Sequence, residues 1–276
     1  MVVSIRPAKS ARDYSTTEIT KLMTDNSITD NWNLAGHHWA VDMLQKHIVR
    51  GTTRHAYLFA GPPGVGRRTL ALRFAQALNC PSPLEAGVPC GTCRDCRQIE
   101  SMKHADLSVV QSESEGGILK VDPIREARKL LTLKPFQSKY RVALFLRFQE
   151  ANDNAANALL KTLEEAPSYA VLILTADNPE QLLPTIISRC EVLRLRPLHV
   201  EEVQRELENR GLENSRAKLI AHISGGRMGY AIRLTENDSL LDQRDERLND
   251  LLSLLPASRV EKFSYADKLS KDKDAM

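Results

Sequence analysis

No run of about 18 consecutive apolar residues occurs in the 276-residue chain, so the sequence offers no helix able to cross a bilayer. The first residues also lack the short apolar segment of an export signal, and the expected location is the cytoplasm. Excess charge of one sign is missing too: 38 Lys and Arg stand against 35 Asp and Glu. Without a basic surplus, the chain as a whole is not marked as a nucleic-acid binder, and any such contact must be local. Cysteine is scarce, yet four of the five fall between Cys80 and Cys96. In a reducing compartment that clustering reads as a metal site rather than as disulfides.

What is present suits one large core and a smaller unit, because 42% of the residues are hydrophobic. Residues 1–30 are polar without an apolar period, and read as a mobile extension in which Met23 offers an alternative start. From Trp32 the pattern changes: Val41, Leu44 and Ile48 share a helical face that Gly51 should end. The apolar run Ala56 to Ala60 reads as a strand, and the helix expected from Leu70 to Leu78 follows it. Arg141 to Phe148 and Ala170 to Thr175 read as further buried strands around a helical segment, Asn152 to Glu165. Continuous apolar strands alternating with helices predict a parallel α/β sheet. Beyond Pro197 three helices are expected, Val200 to Asn209, Asn214 to Ile223 and a short third; the leucines 251, 252, 254 and 255 mark a fragment of a further element.

Between the first strand and its helix lies Gly61-Pro62-Pro63-Gly64-Val65-Gly66-Arg67-Arg68-Thr69. A Walker-type phosphate loop needs glycines so that N–H groups converge on phosphate, a Lys for the outer phosphates, and Ser or Thr for magnesium. Gly61, Gly64 and Gly66 meet the first need, whereas Arg67 and Arg68 stand where Lys and the hydroxyl belong, and Thr69 comes one place late. Guanidinium binds phosphate but is no simple replacement for an ammonium at a cramped site. The loop itself leaves two readings open: a degenerate phosphate site, or a glycine-rich strand-to-helix turn with no ligand.

Cys80, Cys90, Cys93 and Cys96 leave nine, two and two residues between them, with Gly87, Pro89 and Gly91 to make the turns. Four thiolates at such spacing close a tetrahedral structural zinc site; an iron–sulfur cluster or redox thiols are the alternatives. Cys190 stands apart and reads as a buried neutral thiol.

Three segments, His55 to Phe59, Asn157-Ala158-Leu159-Leu160-Lys161-Thr162-Leu163-Glu164-Glu165, and Leu182 to Cys190, resemble in this order the bacterial clamp-loader ATPase family. The resemblance covers roughly Trp32 to Leu234. It implies a AAA+ P-loop-type parallel sheet domain over residues 31–196, with a zinc-module insertion at about 80–96. A three-helix lid at 197–240 and a truncated helical collar or tail at 241–276 complete the expected layout. In the family's ATP-hydrolysing members the second strand ends in Asp-Glu, and the matching places here are Leu146 and Arg147. Leucine cannot hold a metal ion, and arginine cannot act as a base at neutral pH. This combination resembles the delta-prime type of subunit in DNA polymerase III, and it implies a non-hydrolysing, stator-like role in which ATP binding is in question.

The resemblance also places a trans-acting arginine finger at Arg189, within Ser188-Arg189-Cys190, although an Arg at a helix end can equally meet backbone carbonyls or a surface carboxylate. It implies motor subunits, a delta-type subunit, the sliding clamp and, through the assembly, primer–template DNA as partners, with no membrane. The family's second nucleotide-sensing arginine falls near Gly225 to Tyr230, where the register points to Gly229 or Tyr230 rather than Arg227. Glu164-Glu165 read as a solvated helix end, and Lys134, Lys139, Arg141 and Lys161 as either DNA-phosphate contacts or a solvated basic face. Two rival readings are an active ATPase motor and a zinc-dependent nucleic-acid-binding protein, the latter weakened because the cysteine insertion carries little basic charge beyond Arg94 and Arg97.

Overall fold

The computed structural model describes residues 32–271; the expected extension at 1–30 lies outside them. The described chain forms two units, one running to Pro62 and resuming at Gly66–Arg196, the other made of Pro63–Val65 and the residues from Pro197 onward.

Among the described residues, the first helix of the first unit is α1 (His38–Val49), whose Ala40, Val41 and Leu44 are buried. Then come β1 (Ala56–Ala60), α2 (Arg67–Asn79), α3 (Arg94–Glu100), β2 (Leu107–Val110), α4 (Val121–Thr132) and β3 (Arg141–Phe145). A single 3-10 turn at Phe148–Glu150 leads to α5 (Asp153–Glu164), β4 (Ala170–Ala176), the short α6 (Pro184–Ile187) and β5 (Glu191–Arg194). The strands make one sheet in the order β2-β3-β4-β1-β5, and every pairing is parallel.

Sequence explains the layering. β1, β3 and β4 are buried along their whole length, as strands covered on both faces must be. Alternate side chains face opposite layers. Leu58, Phe145, Leu172 and Leu174 pack with Ile124 and Leu131 of α4 and Leu159 and Leu163 of α5. Tyr57 meets Phe74 of α2 edge to face, centroids 4.8 Å apart, and Trp32 stacks on the same ring at 6.3 Å. Asn152 caps α5 by accepting from the Ala155 N–H at 2.9 Å, and the helix ends at Glu164, just ahead of Pro167.

In the second unit α7 (Val200–Asn209), α8 (Asn214–Ser224) and α9 (Met228–Glu236) pack together, burying Val203, Leu207, Ile220, Ala221, Ala231 and Leu234. Gly226 permits the turn between α8 and α9: its φ is +81°, and a Cβ there would lie 2.1 Å from the Leu198 carbonyl oxygen. Two more helices follow, α10 (Ser239–Leu254) and α11 (Arg259–Lys271). Leu251, Leu252, Leu255, Val260 and Phe263 on this stretch are exposed.

Candidate functional site

The C-terminal ends of parallel strands are where α/β sheets assemble ligand sites. The glycine loop starts there, with the Gly61 N–H donating to the Ala176 carbonyl oxygen at 3.1 Å. Gly66 sits at φ +111°, a conformation open essentially to glycine, and from it α2 starts with no side-chain cap. Within the second unit, the Gly64 carbonyl oxygen accepts from the Gly229 N–H at 2.7 Å.

The two arginines of the loop part company. Arg67 is nearly buried, and its Nη2 lies 2.6 Å from Oδ1 of Asp177, the residue directly after β4. Its Nη1 is buried without a hydrogen-bond partner. Arg68 is exposed and turns to the Met102 sulfur, 3.5 Å from its Nη2; Thr69 is exposed as well. Of the loop's charged residues, Arg67 alone is held close to the strand ends.

Where the family's acidic pair would stand, the structure holds a neutral and a basic residue, each already engaged. Leu146 is buried and its N–H donates to the Val110 carbonyl oxygen at 2.9 Å. Arg147, in the left-handed conformation at φ 50°, donates from its backbone N–H to Thr175 Oγ1 and from Nε to Glu150 Oε1 at 2.8 Å. Glu150 also accepts from the Gly116 N–H at 2.8 Å and from the Ser112 hydroxyl. Burial pushes the Glu150 carboxyl up, but these donors outweigh it and hold it below the usual range. Both oxygens are thus committed, which makes Glu150 an internal partner for Arg147. Nothing in the sequence flagged Glu150, because its partners lie up to 38 residues away.

Arg189 follows α6. Its Nη1 donates to the Thr185 carbonyl oxygen at 2.9 Å, and its Nη2 to Oε1 of Glu164, at the end of α5, at 2.6 Å. Ser188 Oγ donates to the same Thr185 carbonyl at 3.2 Å and accepts weakly from Arg189. About a third of the Arg189 side chain and half of Glu164 remain exposed. Glu164, read from sequence as mere helix-end solvation, is therefore the carboxylate that holds the candidate finger. Burial pushes the neighbouring Cys190 thiol up to about 12.

The four clustered cysteines converge: their sulfurs all lie within 4.8 Å of one another. Cys80 and Cys90 sulfurs are 3.5 Å apart and those of Cys90 and Cys96 4.0 Å. Four sulfurs at about 2.3 Å from a tetrahedral zinc would be about 3.8 Å apart, so the set fits. Backbone N–H groups of Cys90, Cys93 and Cys96 point at the sulfurs of Cys80, Cys90 and Cys93. The Cys93 amide pulls the Cys90 thiol down to about 6, while burial pushes Cys80 and Cys96 up. The module is anchored to α2: Gln76 Nε2 donates to the Cys96 carbonyl oxygen at 2.7 Å, and Arg73 pairs with Glu100 at 2.7 Å.

Other basic residues divide. Arg141 is buried against Asp106 at 3.1 Å and is not available to any phosphate, whereas Lys134, Lys139 and Lys161 are exposed. Arg227 lies over the Tyr230 ring, 4.8 Å from its centroid, with Arg233 at 5.6 Å, so two arginines of the second unit share one aromatic side chain.

Fold and loop together define a AAA+-type α/β domain, in which a glycine loop followed by Arg67 and Arg68 joins β1 to α2. Residues 36–199 match the family described as DNA polymerase III, delta subunit, and the chain belongs to that family. It is 34% identical over 209 residues to DNA polymerase III subunit delta' of Pseudomonas aeruginosa, covering 75% of this chain and 63% of that protein. Identity to subunit delta' of Bacillus subtilis is 32% over 203 residues, covering 73% and 60%. DNA polymerase III subunit tau of Escherichia coli is 32% identical over 210 residues, 74% of this chain but 32% of the relative. The chain thus spans about three fifths of these delta' subunits and about a third of tau. Among solved structures, a gamma subunit-related protein from Thermotoga maritima is 22% identical with a TM-score of 0.44, covering 67% of this chain and 58% of its own. The RuvB Holliday junction branch migration motor of the same organism is 19% identical at a TM-score of 0.47, covering 88% and 72%.

Proposed function

We propose that the chain is a non-hydrolysing, stator-like subunit of the DNA polymerase III clamp loader, which offers Arg189 to the nucleotide site of a neighbouring motor subunit. The observation that carries this reading is the pairing of Arg147 with Glu150 beside buried Leu146, where hydrolysis would need free carboxylates. Engagement of Arg67 by Asp177 supports it further. Arg189 remains partly exposed at a helix end, on a guanidinium whose planar fork suits phosphate oxygens. Release from Glu164 would let it act on a partner's γ-phosphate, where such fingers contribute about three to five orders of magnitude in rate.

The cysteine module fits structural zinc, held by Cys80, Cys90, Cys93 and Cys96 with no open position for water. Motor subunits, a delta-type subunit, the sliding clamp and primer–template DNA are the partners this role implies, in the cytoplasm; no helix among the described residues is long and apolar enough to cross a membrane. The test is ATP turnover by the purified chain alone, then by a motor-subunit assembly containing the wild-type chain or Arg189→Ala. Silence alone and arginine-dependent turnover in the assembly support the reading; turnover by the isolated chain overturns it.

A further inference from the structure

The ion pair at the head of α2 has the geometry of an occupied anion site. Arg67 is the first residue of the 13-residue α2, whose N-terminus carries no acidic residue in its first turn and no side-chain cap. Helix N-termini attract anions through unpaired N–H groups and the macrodipole. The anion nearest the Arg67 guanidinium belongs to the protein itself: Asp177 Oδ1 is 2.6 Å from Nη2. The parallel pairing of β1 with β4, Ala60 opposite Ala176, carries Asp177 to the level of Gly61, where the loop begins.

The fit is incomplete in an informative way. The Arg67 side chain is nine-tenths buried, and its Nη1 is buried with no acceptor. A single carboxylate oxygen meets one arm of the fork; a phosphate, with three oxygens, can meet two. A buried guanidinium nitrogen left unpaired costs free energy, and an anion with more oxygens than a carboxylate could meet it.

We propose that Asp177 is the residue that shuts this loop to polyphosphate, by taking the cation and placing a negative charge where phosphate would lie. The ligand class excluded is a nucleoside triphosphate or free pyrophosphate. This inference deepens the non-hydrolysing reading of the same loop and rests on it: loss of turnover follows from Leu146 and Arg147, loss of binding from Asp177.

The experiment is calorimetric titration of the full chain with pyrophosphate, ATP and adenosine, for wild type, Asp177→Asn, Asp177→Ala and Asp177→Asn combined with Arg67→Ala. Asp177 is about one-third exposed, so both single variants should fold, as melting curves will verify. Wild type is expected to show no binding up to about 1 mM, and the single variants to gain at least about tenfold for ATP and pyrophosphate. The gain should vanish in the double variant and never appear with adenosine. A gain for ATP but not pyrophosphate narrows the class to nucleotides. Wild-type binding as tight as that of folded Asp177 variants, no gain in those variants, or a gain that survives Arg67→Ala would each overturn the proposal. Phosphate release with magnesium is measured on the same samples: turnover by wild type sinks the non-hydrolysing reading, while binding without turnover in the Asp177 variants leaves that reading standing.

Discussion

Arg189 and Glu164 are joined through Nη2 and Oε1 at 2.6 Å, across the gap between the segment after α6 and the end of α5. Both side chains are partly exposed, so the pair contributes little to stability, on the order of 0–1 kcal/mol. Its significance is positional: a long, flexible side chain is held in one orientation by a carboxylate and by the Thr185 carbonyl.

Glu164→Gln is accordingly expected to leave the melting temperature of the isolated chain within a few degrees of wild type. In a motor-subunit assembly, Arg189→Ala should lower ATP turnover by about 100-fold or more, and Arg189→Lys should recover only a small part, because an ammonium lacks the planar fork. Equal turnover in wild-type and Arg189→Ala assemblies would remove Arg189 from the chemistry.

Metal content is checked by elemental analysis of protein purified without added zinc, with one zinc per chain expected. Cys96→Ser should lose the metal and lower the unfolding free energy by several kcal/mol, since metal binding free energy is folding free energy in such modules. Because Gln76 takes the Cys96 carbonyl oxygen into the packing of α2, hydrogen exchange should speed up along the C-terminal half of α2 as well as in the module.

Asp106 is fully buried, and accepts from the backbone N–H groups of Phe136, Gln137 and Ser138 besides Arg141. Burial pushes its carboxyl up, yet those donors prevail and hold it below the usual value. A depressed folded-state pKa adds stability above the ordinary carboxylate pKa that is lost as pH falls through the folded value. Asp106→Asn should therefore cost about 3–5 kcal/mol at neutral pH in urea denaturation and make stability less steep in acid. An unchanged urea midpoint at pH 7 would contradict this.

Phe74 of α2 is buried against Tyr57, Phe59 and Trp32. Phe74→Ala should destabilise by about 3–5 kcal/mol without altering zinc content, separating the core of this layer from the metal module.

Much of the sheet was legible because its central strands are continuous apolar runs. The strand read as Ala56 to Ala60 is found with those bounds, and the one read as Ala170 to Thr175 extends by a residue. β3 stops at Phe145, short of the expected Phe148, because Arg147 turns into the left-handed region. β2 and β5 escaped notice: each has four residues, and β5 mixes Glu191 and Arg194 with two apolar positions, as an edge strand can. α4 was missed as well, its apolar face of Ile124, Ala127 and Leu131 hidden among charged residues with Pro123 in the first turn. At the candidate site the residue types were readable but not their partners. Asp177, Glu150 and Glu164 act through neighbours brought near only by the sheet and its crossovers, and no local pattern encodes that.

Gly66 carries a consequence of its own. Its φ of +111° is what lets the chain turn from the loop into α2, and α2 brings Phe74 to the core and Gln76 to the cysteine module. The glycine signature therefore has a mechanical reason to stand here whether or not a nucleotide ever enters: it is the elbow on which a structural strut is mounted. A glycine motif in this setting testifies to architecture first, and a well-mounted strut is no evidence of a bound nucleotide.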